Sequence, residues 1–189
     1  MAPAWFKRRE KTDPPAAAQK PSGNASSGEQ APPAAKAVPI SRFLSEDLIQ
    51  VLPGAKDKNQ VIDKLVNKLC KARGLGDPAP LLRKVLEREQ GISTTLDTGL
   101  SMPHARVDIP EIAVILALLP NGIPDPKQPE MAIRAMFLFF SPNRQEAFTQ
   151  HLHLLRSVAS LFQPAFIDQL VAAGSPAKAL ELVRKQETP

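Results

Sequence analysis

Two apolar stretches of strand length, Ile112–Leu119 and Ile133–Phe140, the second broken only by Arg134, constrain this chain more than any other feature. Neither alternates polar with apolar residues, so both faces of each need covering, as in strands held between layers of helix. The flanking segments supply those helices. Asp57 with Gln60 three positions on is a capping-box-like start, and Val61, Ile62, Leu65, Val66 and Leu69 then form one helical stripe that Gly74 ends. Asp77-Pro78 opens a second helix, with Leu81, Leu82, Val85 and Leu86 inward and Glu87-Arg88-Glu89 at its exit. Beyond Phe140 the pattern predicts a long helix from about Asn143 to Phe162 and shorter ones near Pro164–Ala172 and Pro176–Lys185. Ser45-Glu-Asp-Leu-Ile reads as a capped helical turn, and Ser93–Leu96 and Leu100–Met102 suit short strands or tight loops. The proline-rich run Pro120–Pro129 reads as a loop. Helices, then strands, then helices specify an α/β fold, a mixed β-sheet flanked by helices on both faces.

The N-terminal region differs in kind. Residues 1–38 are rich in Pro, Ala, Ser, Gly and Gln with few large apolar side chains, the composition of a disordered tail or tether. A domain is expected over 39–187. The tail carries six basic and three acidic residues, leaving 18 basic and 16 acidic of the chain's 24 and 19 for the rest. The net charge of +5 therefore sits mostly in the tail, and no basic face with interleaved aromatics marks a nucleic-acid binder. Trp5 and Phe6 beside Lys7-Arg8-Arg9 read either as a short anchor for a partner or membrane surface or as an exposed terminus. No apolar run reaches the roughly 18 residues of a membrane span, and no signal-peptide pattern opens the chain, so a cytoplasmic protein is expected. The lone Cys70 lies among Leu65, Val66 and Leu69 at helical spacing, the setting of a small buried hydrophobe. One Cys and three His lack zinc-ligand spacing, and nothing calls for a metal, a nucleotide or another cofactor.

The three histidines have different settings. His104 lies in Gly99-Leu-Ser-Met-Pro-His-Ala-Arg, behind Pro103 and before Arg106, with hydroxyls at Ser93, Thr94, Thr95, Thr98 and Ser101 upstream. A neutral imidazole nitrogen is a competent nucleophile toward phosphorus near neutral pH. The incoming group brings negative oxygens, which the planar fork of an arginine can hold in pairs. The residues alone favour a structural role for His104 over a catalytic one. At about 100° per residue, Phe148, Leu152, Leu155, Val158, Ala159 and Phe162 define one helical face. His151 falls near the middle of that face and His153 roughly opposite, so His151 is expected to point toward the sheet.

An ordered set of motifs gives this pattern a context. Glu87-Arg88-Glu89 precedes Ser93-Thr94 and a short loop. Gly99-Leu-Ser-Met-Pro-His-Ala-Arg then resembles a Gly-(Ile/Leu)-Ala-(Ile/Leu)-Pro-His-(Ala/Gly)-(Arg/Lys) segment, and Val107-Asp-Ile-Pro continues it. Phe137-Leu-Phe-Phe-Ser-Pro and His151-Leu-His-Leu-Leu follow in order. Together they make residues from about Pro39 to Glu187 similar to the fructose/mannitol-type (type 2) IIA domain of the bacterial phosphoenolpyruvate-dependent phosphotransferase system, a group that includes the nitrogen-regulatory IIA protein. The resemblance implies the IIA type-2 fold and a phosphorylated histidine at His104. It implies that Arg88 and Thr94 line the site, that Arg106 is the basic residue after the histidine, and that His151 is a second histidine beside it. It also implies a histidine phosphocarrier protein as phosphoryl donor, and a IIB domain or a regulated target protein as the next partner. An IIA domain is a phosphoryl relay, so the word enzyme fits it loosely.

One departure bears on activity. Thr95 and Asp97 stand where the resembled loop has glycines, and glycines let backbone N–H groups approach an anion closely. A carboxylate about 5 Å from a phosphoryl group would cost roughly 3 kcal/mol at an effective dielectric of about 20. Two readings follow, an active phosphoryl carrier or a phosphorylation-incompetent IIA-like regulatory or binding module, and they turn on where Asp97 points.

Overall fold

At the centre of the sheet lies an antiparallel hairpin of β4 (Ala113–Asp125) and β5 (Gln128–Pro142), in a computed structural model that describes residues 38–188. Strand β1 (Ile49–Val51) pairs in parallel with the outer edge of β4. On the other edge of β5, β2 (Leu100–Ser101) and β3 (His104–Val107) both run parallel to it, one after the other along its length. The sheet is therefore mixed. Every residue of Ala113–Leu119 and of Ala135–Phe140 is buried, so side chains on both faces of the hairpin are covered. The Pro/Ala-rich tail and the Trp5-Phe6 cluster lie outside the described residues.

The helices begin and end where local chemistry dictates. In α1 (Lys58–Arg73) the Asp57 carboxylate accepts the Gln60 N–H at 2.8 Å, and Gly74 closes the last turn at φ 64°. In α2 (Pro78–Gln90) Asp77 accepts the Ala79 N–H, and Pro78 occupies the first helical position, where its missing N–H costs nothing. Helices α3 (Phe148–Leu161), α4 (Pro164–Ala173) and α5 (Pro176–Glu187) follow the hairpin. The stripe Val61, Ile62, Leu65, Val66 and Leu69 is buried together with Cys70, whose thiol burial pushes up, as suits a small core hydrophobe.

Three expectations need correcting. Pro120–Pro129 is not a loop, because β4 continues to Asp125 and β5 starts at Gln128. The ladder moves from Leu118↔Ala135 to Ile123↔Ile133, so Leu119–Gly122 bulge opposite Arg134 alone. A bulge releases Pro120 from donating to the ladder, and so hides a strand inside a turn-like composition. The long helix begins at Phe148 rather than near Asn143. Asn143 instead donates to the Val107 carbonyl at 2.8 Å and prolongs the β3–β5 pairing before a 3₁₀ turn, Gln145–Ala147, starts the descent into α3. The inward face of α3 is also rotated. His151, Leu154 and Val158 are buried, whereas Phe148 and Leu152 are 47% and 46% exposed.

Candidate functional site

Strand period places the first pieces of the site. Side chains alternate across β3, so Ala105 and Val107 go into the core while His104 and Arg106 share the opposite, partly open face. Parallel pairing then sets Phe139 beside His104 and Ser141 beside Arg106. The His104 ring stacks on Phe139, with centroids 5.2 Å apart and planes 12° from parallel. Helix α3 brings His151 over the same face, its ring centroid 5.3 Å from that of His104. His151 is buried, and its Nδ1 is 2.8 Å from the Ser141 hydroxyl.

The tautomer of His104 follows from its neighbour. Nδ1 lies 2.8 Å from the Met102 carbonyl oxygen. A carbonyl can only accept, so Nδ1 carries the proton and Nε2 carries the free lone pair. Burial holds the His104 pKa below the ordinary imidazole value; the Met102 carbonyl opposes that shift, Arg88 adds to it and Glu89 opposes it. His151 is pushed down to about 4, first by burial and then by facing His104 and Arg106. Both imidazoles are therefore neutral near pH 7.

Positive charge surrounds this pair. A shallow depression on the surface is lined by Lys84, Glu87, Arg88, His104, Arg106 and His151. Lys84 and Arg88 are one helical turn apart on α2, so both cations face one side of it. Arg106 donates from Nη2 to the Arg144 carbonyl at 2.7 Å and lies over the Phe148 ring at 5.1 Å, while its buried Nε–H has no partner among the described residues. Arg88 donates to the Ile92 carbonyl at 3.0 Å, which fixes its guanidinium at the end of α2. The sequence reading missed Lys84, though its i, i+4 spacing to Arg88 was available. It also missed Phe139 and Ser141, which only strand register brings to His104.

Thr94 is placed differently from the others. It is buried, is not part of the depression's lining, and donates its hydroxyl to Glu89 Oε1 at 2.5 Å. Below it lies a buried polar cluster. Lys58 Nζ stands 2.7 Å from Glu89 Oε2 and 2.9 Å from Asp125 Oδ2, and Thr95 and Ser93 also donate to Asp125. Burial would raise the Asp125 pKa, but Thr95, Lys58, the Lys127 N–H and Ser93 outweigh it and hold the carboxyl well below the usual range. Thr95 is thus an interior ligand of a buried carboxylate. Asp97 sits at the tip of the Leu96–Gly99 turn, closed by the Gly99 N–H to Leu96 carbonyl bond, with Gly99 at φ 83°. It is exposed, is not part of the depression's lining, and makes no hydrogen bond or ion pair among the described residues. No group of three or more His, Cys, Asp or Glu among them could hold a metal ion.

The chain as a whole has counterparts among known sequences. The family described as phosphoenolpyruvate-dependent sugar phosphotransferase system, EIIA 2, matches residues 42–186. The chain belongs to that family. A fructose-specific EIIABC component of the system from Bacillus subtilis is 34% identical over 67 residues, 35% of this chain. The match spans only 11% of that longer relative. Among solved structures, the nitrogen regulatory protein IIA-Ntr of Neisseria meningitidis has a TM-score of 0.65 at 17% identity, over 76% of this chain and 98% of that one. The Escherichia coli mannitol IIA, solved in complex with phosphorylated mannitol IIB, has a TM-score of 0.64 at 20% identity, over 75% of this chain and 97% of that one. These structures establish the EIIA type-2 fold for the chain. Among its described residues no helix is long and apolar enough to cross a membrane.

Proposed function

We propose that this EIIA-family chain is a cytoplasmic phosphoryl carrier in which His104 Nε2 accepts a phosphoryl group from the phosphohistidine of a carrier protein. The observation that carries the reading is the tautomer of His104, protonated at Nδ1 by its bond to Met102, with a lone pair on Nε2 at a depression rich in cations. In the transfer the Nε2 lone pair forms the new N–P bond. The donor's N–P bond breaks in line, and its electron pair returns to the donor imidazole. The Nδ1 proton stays on His104, shared with the Met102 carbonyl, which stabilises positive charge developing on the ring.

Phosphoryl transfer needs position and charge more than covalent help. Arg88, Arg106 and Lys84 supply the charge, and the Arg106 Nε–H, unpartnered among the described residues, is a buried donor suited to an anion's oxygen. His151 can donate from Nε2 to the bound group while Ser141 donates to its Nδ1. The phosphoryl group would next pass to a IIB domain or signal to a target protein. The exposed position of Asp97, outside the lining of the depression, favours this reading over a phosphorylation-incompetent binding module.

The test is acid-labile phosphate incorporation from phosphoenolpyruvate through the general phosphotransferase proteins, comparing wild type with His104→Ala. Label on the wild type alone is expected. Equal label on both would move the acceptor elsewhere, and no label on either, with a competent upstream carrier, would make the chain a binding module.

A further inference from the structure

Met102 joins His104 to the buried charges beneath it through a series of hydrogen bonds that ends on an ion pair. That ion pair joins the Lys58 ammonium to Glu89 Oε2 at 2.7 Å. The other Glu89 oxygen accepts the Thr94 hydroxyl proton at 2.5 Å. The Thr94 carbonyl accepts the Met102 N–H at 3.1 Å, and the Met102 carbonyl accepts the His104 Nδ1–H at 2.8 Å. Three helix and strand elements thus meet at one peptide segment, with Lys58 from α1, Glu89 from α2 and His104 opening β3.

A threonine hydroxyl has a single proton. With that proton given to a buried carboxylate, the Thr94 hydroxyl has nothing to donate to phosphate oxygens, which only accept. Its other capacity is mechanical. Clamped at its side chain, it holds the orientation of its own peptide, and that peptide fixes Met102. The tautomer matters because an unconstrained neutral histidine prefers its proton on Nε2, which would block the nucleophilic nitrogen. Holding the Met102 carbonyl against Nδ1 reverses that preference.

We propose that Thr94 is a positioning residue rather than a phosphate ligand: through Glu89 and Met102 it keeps the His104 proton on Nδ1 and so keeps Nε2 available. Its consequence for transfer rests on the phosphoryl-acceptor reading of His104, but the geometry does not, and the two are separable by experiment.

The test is the nitrogen chemical shifts of the His104 ring in full-length, ¹⁵N-histidine-labelled protein, recorded where the imidazole is neutral, for wild type, Thr94→Val and Thr94→Ser. His153, on the other side of α3, is the internal reference. Wild type is expected to show His104 as the Nδ1–H tautomer, with Nε2 at the unprotonated shift. In Thr94→Val the two nitrogens should move toward each other as the tautomers mix, and Thr94→Ser should restore the wild-type spectrum. Phosphate incorporation should slow about fivefold to tenfold in Thr94→Val, the worth of the neutral His104–Met102 hydrogen bond that the variant loosens, and recover in Thr94→Ser. If Thr94→Val does not fold, Thr94→Ala removes the same hydroxyl without setting a methyl against Glu89. A folded variant lacking the hydroxyl yet keeping the wild-type tautomer overturns the proposal. Lost labelling with an unchanged tautomer also overturns it, because Thr94 would then touch the phosphate. A wild type that takes no label removes the carrier reading and leaves the tautomer result to decide this one.

Discussion

At the scale of single residues, His151 sets an acid limit on the fold. Its pKa is near 4 in the folded state and about 6.5 when unfolded, so between those values the unfolded chain binds the extra proton. Stability therefore rises with pH across this window and is lost as pH falls from about 6.5 toward 4. Urea midpoints from pH 7 to 4 should show this slope in wild type and a much flatter one in His151→Gln, which cannot titrate. Equal slopes would place the acid sensitivity elsewhere.

Among elements, the critical joint is the buried cluster where α1, α2 and the end of the β4–β5 hairpin meet. Lys58 begins α1, Glu89 is in the last turn of α2 and Asp125 ends β4, and all three are buried. Removing the Lys58 cation leaves the Glu89 and Asp125 carboxylates buried without their ion-pair partner. Lys58→Met is expected to cost about 3–5 kcal/mol, with Lys58→Met/Asp125→Asn recovering part of it, as a coupled pair should. Chemical denaturation of the single and double variants measures both, and additive losses would mean that the cluster is not coupled. The same joint anchors the Ser93–Ser101 segment through Thr95 and Ser93, so stability and site geometry share one set of contacts.

The whole molecule presents an apolar edge beside its site. Phe148 and Leu152, one turn apart on α3, are about half exposed next to the depression that holds His104. A protein donor of phosphoryl groups would cover such an edge, whereas a small donor would not. Leu152→Asp should slow incorporation from the carrier protein about tenfold, the scale of a single interface anchor. Incorporation from a small phosphoramidate should be unchanged, because Leu152 is not among the residues lining the depression. Equal slowing with both donors would show damage to the site rather than to docking.

What could be read in the sequence by itself was what local chemistry repeats. The caps at Asp57, Asp77 and Gly74, the stripe of α1, and the two apolar runs of the hairpin are legible because helix and strand periods act over a few residues. His104, Arg88, Arg106 and the inward turn of His151 were legible as an ordered set of motifs and as a helical wheel. Only the tertiary structure decided the rest. The bulge at Leu119–Gly122 carried β4 through Pro120 and Pro124, and pairing across it cannot be read from one strand alone. Register on β5 chose Phe139 and Ser141 as neighbours of the β3 side chains, and the meeting of α1, α2 and β4 turned Thr94 and Thr95 inward and left Asp97 outside. Such contacts join residues far apart along the chain, and local periodicity carries no information about which distant partner a buried hydroxyl will find.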